Sequence, residues 1–140
     1  MTEQLVFVQT NNVAGNQILV YDRAENGTLK LTETVDTGGN GGVSLAGPGP
    51  DPLNSQGSLI YDTHHRVLIA VNAGSDTVSV LTLEDNHLYL RQVLPSGGTF
   101  PVSVTVHGDL LYVLNANGTG AITGYRIADG QFHPIDDSTR

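Results

Sequence analysis

Residues 67–98, VLIAVNAGSDTVSVLTLEDNHLYLRQVLPSGG, read as three β-strands joined by two tight turns, and their pattern recurs on both sides. Later in the chain Ile69, Asn72 and Ala73 come back as Tyr112, Asn115 and Ala116. After one residue of slip, Val78, Leu81 and Leu83 come back as Ile122, Tyr125 and Ile127. Earlier in the chain Val78, Val80 and Asn86 correspond to Ile18, Val20 and Asn26, and Gly97-Gly98 to Gly38-Gly39. A unit of roughly forty residues holding several short strands is the mark of β-propeller blades. The fold class is therefore all-β, built from blades of four antiparallel strands, with about three blades in this chain.

The repeat divides the chain into a blade over residues 5–39, a long inter-blade loop over 40–56, and blades over 57–98 and 101–135. The first blade lacks its inner strand. Its three strands are expected near residues 5–9, 18–21 and 29–35, with Asn26-Gly27 making the last link a tight hairpin. Inner strands of the other two blades are expected at 57–62 and 101–106. Propellers close with about four to eight blades. The missing blades are expected from a longer chain, or from a second copy of this one. A strand from beyond Arg140, or from a partner chain, would then complete the first blade and remove its exposed edge. The loop NGGVSLAGPGPDPLNSQ carries three prolines and four glycines, which exclude a helix or central strand. Its counterpart between the next two blades is only residues 99–101. Loops of this length in compact folds are functional or are surface excursions.

Charge excludes one class of partner. The net charge is -8, Lys30 is the only lysine, and no basic run offers a track for phosphates, so no nucleic acid is expected. No apolar stretch is long enough to span a bilayer, so no membrane is expected either. The start MTEQLVFVQT has no basic segment followed by an apolar one. A cytoplasmic location is the expectation, or a secreted one if a leader has been trimmed. The chain has no cysteine, which removes disulfides and thiolate chemistry. Asn26 and Asn117 each begin a glycosylation sequon, but both are followed by glycine at a predicted turn, where Asn-Gly is favoured for its backbone.

Strands of a blade run alternately up and down, so their links sort onto two faces. One face gathers residues 11–17, 73–77, 116–120 and the long loop. The other carries His64, His65, His107, Glu25 and Glu84-Asp85. The first face is the candidate site, because long loops and inner-strand ends converge there. His64-His65 resembles a ligand pair, but it falls in a hairpin turn of the other face. Adjacent side chains on an extended chain point apart, so it reads as a solvated turn and no metal is expected. His87 and His133 fall on outer strands. Asn72 and Asn115 recur at strand ends, where asparagine readily bonds a neighbouring turn; they could also project into the cavity. No nucleophile elbow, phosphate loop, dinucleotide fingerprint or calcium loop is present, and no cofactor is expected.

The absence of tryptophan rules out the WD and kelch repeat types. VLIAVNAGSDTVSVLTL and LLYVLNANGTGAITGYRI instead resemble blades of the lactonase-type β-propeller family, which includes 6-phosphogluconolactonase and the fungal carboxymuconate-lactonising enzyme. YVTN-type repeats are similar. NSQGSLIYD and GGTFPVSVTVHGDLLYVLN resemble N-terminal blades of the bacterial members, and the resemblance runs over residues 5–127. It implies a seven-bladed ring, of which this chain would be somewhat under half. It also implies chemistry on a lactone by His, Arg and Glu around the central cavity. A family histidine would fall at Phe100-Pro101-Val102, where this chain has none.

Two functions follow. As an enzyme, the protein would hydrolyse a sugar-type or muconate-type lactone, a carboxylic ester. As a non-catalytic propeller, it would serve as a binding or interaction scaffold. The partner in either case is a small lactone or carbohydrate-like ligand. Gln56, Ser58, Asn72, Ser103 and Asn115 are the candidate ligand-positioning residues; no catalytic residue is identified.

Overall fold

The computed structural model describes residues 4–44, 52–53 and 55–140. Every described element is a strand, and the strands form three antiparallel sheets. The first sheet is β1 (Gln4–Gln9), β2 (Gln17–Arg23) and β3 (Leu29–Asp36). The second is β4 (Leu59–Asp62), β5 (Val67–Asn72), β6 (Thr77–Glu84) and β7 (His87–Pro95). The third is β8 (Pro101–His107), β9 (Leu110–Asn115), β10 (Ala121–Ala128) and β11 (Gln131–Pro134). Each sheet is a simple meander in chain order. The sheets stack through β3 on β7 and through β4 and β5 on β8, and they do not close a ring. This is a run of propeller blades.

Stacking explains the residue patterns. β5, VLIAVN, is apolar up to its last residue, Asn72, and all of it is buried, as a strand covered on both faces must be. Val67, Ile69 and Val71 join the core shared with the third sheet, alongside Val102, Leu111 and Val113. Leu68 and Ala70 point the other way, into a core with Ile18, Val20, Leu81 and Leu88. The outer sheets each bury one face only. In β9, Leu111 and Val113 are fully buried, whereas Tyr112 and Leu114 are exposed by 37% and 44%. In the first sheet Val8, Leu29 and Leu31 are likewise left exposed.

Three details were not predicted from the sequence pattern. β3 and β7 each carry a bulge at the same repeat position, at Thr32 opposite the Val20–Tyr21 step and at Arg91 opposite the Val80–Leu81 step, which sharpens the twist of the outer strand pair. Beyond β11, Asp137 adopts φ 57 and Arg140 rejoins the ladder opposite Ile122 through two backbone hydrogen bonds of 2.8 and 3.0 Å. The tail thus pairs with its own blade. The inner strand of the second sheet is also shorter than expected, because Gly57 has φ 79 and lies outside the extended region. Gly57 and Ser58 still bond Val104 and Val71 through their carbonyls.

Candidate functional site

On the face that gathers the β1–β2, β5–β6 and β9–β10 links, a cleft of about 300 Å³ is lined by Gln9, Thr10, Asn11, Pro52, Leu53 and Ser58. Its wall begins where β1 ends. Asn11 has φ 52, a conformation asparagine tolerates. Its backbone N–H donates to Asn16 Oδ1 at 2.9 Å. Its side-chain amide donates to Gly42 O at 2.8 Å and accepts from Gly42 N at 3.0 Å. Gly41 could not be another residue, since a Cβ there would stand 2.1 Å from Asn11 O. The first part of the long loop is thereby laid across the seam between the first two sheets. Gly74 N, bonded to Asn40 O at 3.0 Å, fastens it from the other side.

The described end of the loop is equally fixed. Leu53 is buried in the core that holds Phe100 and Val102, and Ser44 N donates to Pro52 O. These two parts pack against the blades; residues 45–51 and 54 lie outside the described residues. Gln9 Nε2 donates to Val71 O at 2.9 Å, while its buried Oε1 has no partner among the described residues. Among its described lining residues the cleft is polar and none ionises.

The five candidate residues separate into two kinds. Ser58 lines the cleft. Gln56 is exposed, and its carbonyl accepts from Ser103 Oγ at 2.5 Å. Asn72 and Asn115 are fully buried. Asn72 Nδ2 donates to Thr77 Oγ1 and Ser79 Oγ, and its Oδ1 accepts from Asn16 Nδ2 and Thr37 Oγ1. All four bonds an amide can form are occupied. Asn115 Nδ2 donates to Ser96 O at 2.9 Å. Both amides hold adjacent blades together at the Thr/Ser-Gly-Gly turns that end β3 and β7.

The opposite face holds a constellation that spacing did not reveal. His65 Nδ1 lies 2.5 Å from Asp62 Oδ2, and His65 Nε2 lies 3.0 Å from Asp109 Oδ1. Asp62 is at the end of β4; Asp109 is in the β8–β9 turn of the next blade. The His64 and His65 rings meet edge to face, centroids 4.7 Å apart. The expectation that adjacent side chains diverge does not hold here, because residues 63–66 form a turn closed by Arg66 at φ 56. The bond to Asp62 raises the His65 pKa above 6.5; burial opposes it, and the bond to Asp109 adds to it. Burial pushes the Asp62 carboxyl up, but the His65 bond and the backbone bond from His64 outweigh it and hold it below 3.8. The available signal was homology between the two turns, both of which carry ionisable residues just before an apolar strand.

No protein-family model matches the chain, and no curated protein sequence matches it. Solved structures do. A protein from Lactobacillus plantarum superposes with a TM-score of 0.67 at 22% identity, over 94% of this chain and 38% of its own. A functionally unknown protein from Desulfotomaculum acetoxidans gives a TM-score of 0.66 at 10% identity, over 97% of this chain and 42% of its own. A structure from Bacteroides fragilis, described provisionally as a 6-phosphogluconolactonase, gives 0.59 at 18% identity, over 94% and 41%. The likeness is one of fold. The chain spans about two fifths of each of these structures, and what it shares with them is the fold, a run of β-propeller blades.

Proposed function

We propose that this chain is a blade segment of a lactonase-like β-propeller whose complete ring hydrolyses a sugar-type or muconate-type lactone. The observation that carries this reading is the fold likeness to the Bacteroides fragilis structure, joined to a polar cleft where inner-strand ends and the long loop meet. In lactone hydrolysis, water adds to the carbonyl carbon, the ring C–O bond breaks, and the alkoxide takes a proton to give the hydroxy acid. That chemistry needs a general base and donors for the oxyanion. The cleft supplies the Ser58 and Thr10 hydroxyls as groups that orient a polyhydroxylated ligand. Base and acid would come from elsewhere in the ring.

A second reading, a ligand-binding propeller without catalysis, is favoured by the uncharged lining of this cleft. One experiment separates them. The complete ring that contains this segment is incubated with 6-phosphogluconolactone, gluconolactone and muconolactone at a pH where spontaneous opening is slow, and acid release is followed in a pH-stat. The enzyme reading expects release above the uncatalysed rate, with a raised KM in Ser58→Ala. Ligand-observed NMR contacts that disappear in Ser58→Ala, with no rate above background, would establish the scaffold instead.

A further inference from the structure

The Asp62–His65–Asp109 constellation is independent of the cleft and lies on the other face. From it we infer that His64, His65 and Asp109 form a binding site for a zinc-class divalent ion bridging the second and third blades. One ligand atom from each residue lies within 4.8 Å of the other two. A tetrahedral site with metal–nitrogen bonds of about 2.0–2.1 Å spaces its ligand atoms by roughly 3.3 Å. His65 Nε2 and Asp109 Oδ1 are already 3.0 Å apart. Only the exposed His64 ring must swing, and its side chain is held by no described hydrogen bond that would oppose this.

The outer arrangement fits the same chemistry. Ligating histidines usually donate their second ring N–H to a carboxylate, which fixes the tautomer and the ring orientation. Asp62 does this for His65, with its Oδ2 on Nδ1 at 2.5 Å. Asp62 is itself fixed, since its Oδ1 accepts from His64 N at 3.0 Å. His65 Nε2 is thus presented outward as the ligand atom. Two imidazoles and one carboxylate select zinc, nickel or copper over calcium or magnesium, which prefer sets made wholly of oxygen. Three protein ligands leave the fourth position to water. A proton on His65 Nε2 competes with the metal, because the doubly protonated ring bridges Asp62 and Asp109 instead.

The test is zinc titration of the full chain after chelator treatment, by calorimetry and thermal melting, at a pH above the His65 titration. A single ion per chain and a rise in Tm are expected, with no response to magnesium at the same concentration. His64→Ala changes an exposed side chain and should leave the apo melt unchanged, whereas Asp109→Asn gives up a contact of His65 and is compared with its own apo melt; both should abolish the zinc-dependent rise. Asp62→Asn should weaken binding roughly ten-fold or more, as loss of an orienting carboxylate does. Zinc binding that is equal in wild type and in the His64→Ala, Asp109→Asn double variant would overturn the site, as would absence of any binding. NMR of the His65 ring gives a separate readout: zinc must shift its Nε2 and leave His133 unmoved.

Discussion

The two seams between blades are built on one plan and finished differently. At each, a Thr/Ser-Gly-Gly turn closes on an asparagine from the next blade. A Cβ on Gly39 would stand 2.5 Å from Asn72 Cγ, and one on Gly98 would stand 2.8 Å from Asn115 Cβ. The first seam is saturated: Thr37 Oγ1 and Asn16 Nδ2 both donate to Asn72 Oδ1, and Ser79 Oγ donates to Thr37 O at 2.6 Å. In the second, Ser96 Oγ turns to Gly98 O at 3.2 Å, and Asn115 Oδ1 is buried without a partner. The residue that makes the difference is the one before the second long strand. Asn16 O accepts from Thr37 N, and Asp76 O accepts from Ser96 N, so the two positions correspond. Asn16 is buried and brings a donor. Asp76 has no donor to bring, and its carboxylate stays exposed, accepting from Phe100 N at 2.7 Å. A buried charge without a partner would cost far more than an unmet amide oxygen. Repeats that look alike can therefore differ in stability at a single polar atom.

Removing the asparagines should expose that difference most clearly. Asn72→Ala removes four hydrogen bonds from a buried seam, although each partner keeps a second one, and a loss of about 3 kcal/mol is expected. Asn115→Ala removes one bond together with an unmet oxygen, so about 1 kcal/mol is expected. Urea unfolding of both variants measures the two losses. Equal losses would mean that the seams are energetically the same and that the hydrogen-bond inventory decides nothing.

The seams differ again on the opposite face, and there the distinction is one of pH. Asp62–His65–Asp109 spans only the second seam. His65 titrates above its ordinary 6.5 in the folded protein, so its contribution is complete below that value and is lost as pH rises through the folded pKa. Asp62 titrates below 3.8, so its contribution is present above that value and is lost as pH falls through the folded pKa. Stability from this clamp should therefore be greatest from about pH 4 to 6.5. The expected effect is a fall in Tm of a few degrees between the weakly acidic and weakly alkaline range. His65→Gln should flatten it. In hydrogen exchange, the fall should reach β8 and β9 amides and spare those of β1 and β2.

Much of the fold was legible because strand burial writes itself into the sequence. VLIAV is an unbroken apolar run because both faces of its strand are covered, and LLYVLN alternates in exposure because one face is open. The turn glycines and the recurrent asparagines were also visible, but as separate features. That they are two halves of one lock requires contact between blades, which a period along the chain does not encode. The cleft lining was less legible still. Ser58 and the 11–17 link were singled out from the sequence, but Gln9 and Thr10 were passed over because they end an ordinary β1, and their place in the cleft arises from the loop that folds over them. Asp109 was invisible for the same reason: its partner His65 lies in another blade.

The smallest effect is the most specific test of the comparison. Asp76→Asn keeps an oxygen for Phe100 N and adds the N–H donor that Asn16 supplies in the first seam. The amide can turn inward, where a carboxylate could not, and reach Asn115 Oδ1. A gain of about 0.5–1 kcal/mol is expected, the worth of one net hydrogen bond. Loss of the local charge could produce a similar number by itself in a protein of net charge -8. A double-mutant cycle separates the two: in an Asn115→Ala background the charge effect survives and the hydrogen-bond gain does not. A gain that persists without Asn115 would mean that the second seam is already satisfied, and that the contrast between the two seams lies in charge alone.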